Sequence, residues 1–64
     1  MKNRVKEERE VQKMSQMELS EKADVSRTII SELETGKTET ITNSTLEKIA
    51  KALGKKVPDI FFID

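Results

Sequence analysis

Three features of this 64-residue chain predict an all-α fold of five short helices. Leu46, Ile49, Ala50 and Leu53 recur at i, i+3, i+4 and i+7, the apolar stripe of an amphipathic helix. Ser15 and Ser26 each stand where a serine hydroxyl can accept from the amides of a first helical turn. Gly36, Gly54 and Pro58, the only Gly and Pro, fall between the periodic segments as punctuation. Few β-branched and aromatic residues occur in alternating order, which argues against a sheet.

The first helix is expected over Asn3 to Lys13. Its only apolar residues, Val5 and Val11, lie six apart and share no face well, so its packing depends on Val5, the stem of Arg9 and Met14. The second starts at Ser15, where Ser15-Gln16-Met17-Glu18 is a capping box. Leu19 and Ala23 point inward, and small Ser20 lets another helix approach. This helix stops at Ala23, with Asp24 tolerating a left-handed turn. The third starts at Ser26, buries Ile30 and Leu33, and ends at Thr35-Gly36. A loop over residues 37 to 42 leads to the fourth, which begins near Thr42 to Ser44 and stops at Gly54. Lys55 and Lys56 suit the negative end of its dipole. Pro58 opens a last short helix with Ile60 and Phe61, followed by Phe62 and Ile63.

Composition removes several function classes. Lys+Arg and Asp+Glu number 12 each, so the formal net charge is zero. There is no Cys, hence no disulfide, thiol nucleophile or thiolate metal site, and no His to serve as general base or imidazole ligand. Two phenylalanines leave no stacking platform for single-stranded nucleic acid. No run of about 18 apolar residues could span a bilayer, and no apolar stretch reads as a secretory signal. The expectations are a non-enzymatic cytoplasmic protein, associated with the nucleoid when bound to DNA. No cofactor, metal, membrane or small-molecule ligand is expected. One domain, residues 1–64, is expected, with no second module to bind an inducer.

Ser15 to Gly36 reads as a capped helix, a three-residue turn and a second capped helix. Small Ser20 and buried Ile30 permit a crossing near the perpendicular, the geometry of a helix-turn-helix at about residues 15–35. Such a pair projects the start of its second helix outward, where it can enter a major groove. From Met14 to Lys37 the chain reads MSQMELSEKADVSRTIISELETGK, and further on LEKIAKALGKKVPDIF. These segments resemble the phage-repressor (Cro/Xre-type) helix-turn-helix family, over nearly the whole chain. The resemblance implies a lambda-repressor-like domain of five helices. It further implies sequence-specific binding of double-stranded DNA, usually as a dimer.

Carried over residue by residue, the resemblance implies that Gln16 bonds a DNA phosphate, which a helix N-terminus suits in any case. Ser26 opens the recognition helix. Arg27, its first residue, carries a fork that fits guanine O6/N7 or a phosphate. Thr28 lies near the tip and can reach base or phosphate. Ile29 is expected to be largely exposed and to touch a thymine methyl, or else to tuck against a neighbouring loop. Ser31 and Glu32 lie one turn deeper. Glu32 could accept from cytosine N4 but would repel a phosphate. Lys37 and Thr38 suit the backbone-gripping loop, and Asn43 is a further phosphate candidate. Arg4 and Lys6 either add non-specific contacts or solvate their face. Arg9 and Glu34 are implied to bridge the first and third helices as a structural pair. Phe62 and Ile63 are the candidate dimer contact.

Departures from the family pattern are the zero net charge, the run Glu7-Glu8 with Glu10, and Ile41 where a Pro often precedes the fourth helix. Residues 1–36 hold seven basic and eight acidic side chains, so positive potential must be local. The leading expectation is a dimeric repressor or regulator of a bacterium, phage or mobile element, reading a near-palindromic operator. The alternative is an antitoxin-like or coactivator-like module that chiefly holds a partner protein. No motif supports an enzyme.

Overall fold

The computed structural model describes residues 2–37 and 41–62. The elements run β1 (Lys2–Asn3), α1 (Val5–Val11), α2 (Gln16–Ala23), α3 (Arg27–Thr35), α4 (Asn43–Ala52), α5 (Val57–Ile60) and β2 (Phe61–Phe62). The five helices surround one core in which Val5, Leu19, Ile30, Ile49 and Ile60 are fully enclosed. No polar or charged residue is buried in it among the described residues.

Caps define the helix starts. Ser15 accepts from the Glu18 amide at 3.0 Å while the Glu18 carboxylate accepts from the Ser15 amide at 3.0 Å, closing the expected box. Ser26 accepts from Ile29 N at 3.2 Å, and Thr42 from Thr45 N at 3.2 Å. Four helices end alike. The residue after the last turn takes positive φ, and the next amide reaches back five residues: Met14 N to Arg9 O, Val25 N to Ser20 O, Lys37 N to Glu32 O and Lys55 N to Ala50 O. Gly36 and Gly54 fill two of the left-handed positions, Lys13 and Asp24 the others, at φ 55° and 57°.

The stripe Leu46, Ile49, Ala50 and Leu53 is buried as expected. Three expectations need correction. The first helix is shorter than Asn3 to Lys13: the Asn3 Oδ1 accepts from Val5 N at 3.1 Å, fixing the start, and left-handed Lys13 lies past the end. Phe61 does not extend the last helix. Phe61 and Phe62 pair antiparallel with Asn3 and Lys2, a two-residue ladder where no sheet was expected. Strands this short carry no alternation that a sequence could display. Third, Ile29 is half-buried and packed on the core rather than largely exposed. At about 100° per residue it stands only about 40° from Leu33, on the inner side of α3.

Candidate nucleic-acid interface

α2 and α3 meet through a three-residue turn. Asp24 supplies the left-handed step, and Val25, the residue after it, is buried and pins the turn to the core. Ser26 then starts α3 with its first turn directed outward. Around the axis of α3, residues sort into two sides. Ile29, Ile30 and Leu33 face the core. Arg27, Ser31, Thr35, Thr28 and Glu32 follow one another across the other side, with a cation at one edge, hydroxyls between and a carboxylate at the far edge.

Arg27 and Thr28 are exposed, and Ser31 and Glu32 half-exposed. Together with Gln16 they line a shallow concavity of about 340 Å³ between the starts of α2 and α3. Among the described residues, the side chains of Arg27, Thr28, Ser31 and Glu32 make no hydrogen bond or ion pair, while the Thr35 hydroxyl donates to the backbone carbonyls of Ser31 at 3.0 Å and Glu32 at 3.2 Å. Ser26 is exposed with its hydroxyl committed to capping. Lys37 and Asn43 are exposed at the ends of the connection between α3 and α4. Thr38 lies outside the described residues.

Beneath this surface, α3 is tied down. Arg9 grips Glu34 with two hydrogen bonds, Nε to Oε2 at 2.8 Å and Nη2 to Oε1 at 3.0 Å, and its Nη1 donates to Met14 O at 2.8 Å. This is the bridge between the first and third helices that the resemblance implied. Only 13% of the Arg9 side chain and 4% of the Glu34 side chain reach solvent. Burial pushes the Glu34 carboxyl upward, but hydrogen bonds from Arg9 and Gln16 and the charges of Arg9 and Lys6 outweigh it and hold the group below its ordinary value. The Arg9 guanidinium, hydrogen-bonded to Glu34, is held above its own.

Two anchors were not legible in the sequence. The Gln16 amide donates to Glu34 Oε1 at 3.1 Å, so the residue assigned to phosphate also belongs to the ion-pair network. Asn3 Nδ2 donates to Leu33 O at 2.9 Å, tying the terminal ladder to the last turn of α3. Both join residues far apart in sequence, and no local pattern marks them. Arg4 is exposed; its guanidinium lies 5.6 Å from the Phe62 ring centroid and 3.9 Å from Glu7. Lys6 is exposed too. Phe62 is 37% exposed at the ladder, and Ile63 lies outside the described residues.

No group of three or more potential metal-ligating side chains occurs among the described residues, and no helix there is long and apolar enough to cross a membrane. The sequence profile of the helix-turn-helix family matches residues 5–60, from the first residue of α1 to the last of α5. No curated protein matches the chain.

Proposed function

The chain belongs to the Cro/Xre-type helix-turn-helix family of DNA-binding regulators, and from that premise we propose that it is a repressor reading a near-palindromic operator as a dimer. The observation that carries this reading is the outer side of α3. A helix whose inner residues are packed and ion-paired presents Arg27 and Thr28 to solvent at its start, unengaged. An α-helix fits the major groove of B-DNA, and the first residues of a recognition helix meet the base edges. In this reading Arg27 takes guanine O6/N7 or a phosphate, and Thr28 and Ser31 take base or backbone. Gln16, Ser26, Lys37, Thr38 and Asn43 hold the phosphates on either side. Half-buried Ile29 offers only the outer edge of its side chain to a thymine methyl.

Phe62, together with Ile63, supplies the contact between protomers. The two recognition helices of the dimer then lie about 34 Å apart, one turn of the duplex. With zero net charge, long-range steering is weak and base contacts carry a large share of selectivity.

Titration against genomic fragments at two salt concentrations tests the function. Sequence-selective retention that Arg27→Ala weakens by about 1–3 kcal/mol supports it. Absence of retention at low salt rejects it and leaves the same fold holding a partner protein. Sedimentation of wild type and Phe62→Ser tests the dimer: a wild type that stays monomeric at high concentration removes it.

A further inference from the structure

Glu32 is out of character for a surface that meets a polyanion. It is half-buried in the concavity beside Arg27, Thr28 and Ser31. Among the described residues no cation or hydrogen-bond donor engages its carboxylate. Arg27 cannot neutralise it easily: the two positions lie about 140° apart around α3 and about 7.5 Å apart along it. Nor does the chain carry a surplus of positive charge to offset it. We propose that Glu32 is a specificity-determining residue that admits a cytosine at one position of each half-site. This rests on the DNA-reading function above and deepens it.

The argument is one of donors and acceptors. An ionised carboxylate only accepts hydrogen bonds. In the major groove, guanine offers N7 and O6 acceptors and thymine an O4 acceptor, so each repels it. Adenine offers an N6 donor beside an N7 acceptor. Cytosine alone presents its N4 donor with no acceptor on the same base, the O6 of its paired guanine being the nearest one. A phosphate repels the carboxylate too, so a register that places Glu32 against the backbone is penalised. The residue therefore acts in two ways. It rewards cytosine at its own position, and it raises the free energy of every misplaced register. Its distance along α3 from Arg27 exceeds one base-pair step of about 3.4 Å. The cytosine is thus read separately from the base that Arg27 contacts.

The test is selection from random double-stranded DNA with wild type and Glu32→Gln, followed by sequencing. Glutamine keeps the length of the side chain, removes the charge and pairs bidentately with adenine. The expected result is a wild-type motif with one cytosine column per half-site, at least about fivefold preferred over other bases. In Glu32→Gln that column turns towards adenine while the column lost in Arg27→Ala is kept. Affinity of Glu32→Gln for random-sequence DNA is expected to rise. A wild-type motif that Glu32→Gln reproduces unchanged overturns the role of Glu32 and leaves the DNA-reading function standing. A wild type that enriches no sequence overturns both. Matching melting curves for the two proteins establish that the comparison is between folded molecules.

Discussion

The two sides of α3 are built to opposite rules. On the inner side each group has a neighbour. Ile30 and Leu33 are enclosed, Glu34 takes three hydrogen bonds from two residues of other elements, and the Leu33 carbonyl accepts from Asn3. On the outer side, the side chains of Arg27, Thr28, Ser31 and Glu32 have no partner among the described residues. The helix is thus a rigid rail whose outer groups are left uncommitted. In the proposed reading, stability and recognition are divided across about one helical diameter. Substitutions on one side should register in melting and those on the other in binding.

The largest expected effect lies on the inner side. Removing one member of a fully buried ion pair strands the other as an uncompensated charge at a cost of about 3–5 kcal/mol. Arg9 and Glu34 are enclosed at their side chains though not fully buried as residues, so Arg9→Ala should lower stability by about 3 kcal/mol, the low end of that range. Replacing both members, Arg9→Met with Glu34→Leu, should recover much of that loss. Urea melts of the two single variants and the double variant give the coupling directly. If Arg9→Ala melts like wild type, the inner side is not what holds α3.

Acid should act on the same pair. Glu34 titrates below its ordinary value in the folded chain, so the unfolded chain binds its proton more readily. Its contribution to stability is full above the ordinary glutamate range and is lost as pH falls through that range towards the lower folded value. Arg9 is raised above an already high value and stays charged throughout. Melting temperature measured from neutral pH down to pH 3 should fall in wild type. In the Arg9→Met, Glu34→Leu variant the fall should be shallower.

On the outer side the expected change is in affinity alone. Arg27→Ala should cost about 1–3 kcal/mol in binding a preferred site if it reads guanine. It should leave the melting temperature within experimental scatter, because the side chain is exposed and unpaired. Lys37→Ala should weaken all sequences alike and flatten the dependence on salt. A melting shift in Arg27→Ala comparable to that of Arg9→Ala would erase the distinction between the sides.

Local signals made much of this division legible. Ser15, Ser26, Asp24 and Gly36 each act within one turn of chain, so the boundaries of α2 and α3 follow from the chemistry of single residues. The stripe in α4 follows from period alone. Ile29 was expected largely exposed and is not: its i, i+4 spacing from Leu33, which places it on the inner side, was the signal that the expectation passed over. The ladder of Lys2–Asn3 with Phe61–Phe62 was not legible, because two residues show no alternation and the pairing spans the whole chain. The links from Gln16 to Glu34 and from Asn3 to Leu33 arise only once α1, α2 and α3 have met. The outer residues could be nominated from the family resemblance. Their lack of partners is a property of the assembled fold.

The smallest effect is the sharpest probe, because it should raise stability without touching the proposed DNA face. Lys13 holds φ 55°, a conformation in which a side chain clashes with its own backbone and glycine does not. The turn it forms delivers Met14, whose carbonyl accepts from Arg9 Nη1 and whose side chain packs on the core. Lys13→Gly keeps that geometry and relieves the strain, against the added freedom of glycine in the unfolded chain. The net gain should be about 0.5–1 kcal/mol, since at a left-handed position the relief outweighs the entropy. Lys13 is exposed and does not line the concavity of Gln16, Arg27, Thr28, Ser31 and Glu32, so the sequence preference should be unchanged. Gly36→Ala reverses the logic at the end of α3. Among the described residues, no atom beyond the adjacent ones lies within 4 Å of the added methyl, so its cost, about 1 kcal/mol, would come chiefly from φ 74°. Opposite signs for the two variants, in paired melts, would show that the inner anchoring of α3 can be tuned from its turns while its outer side is left as it is.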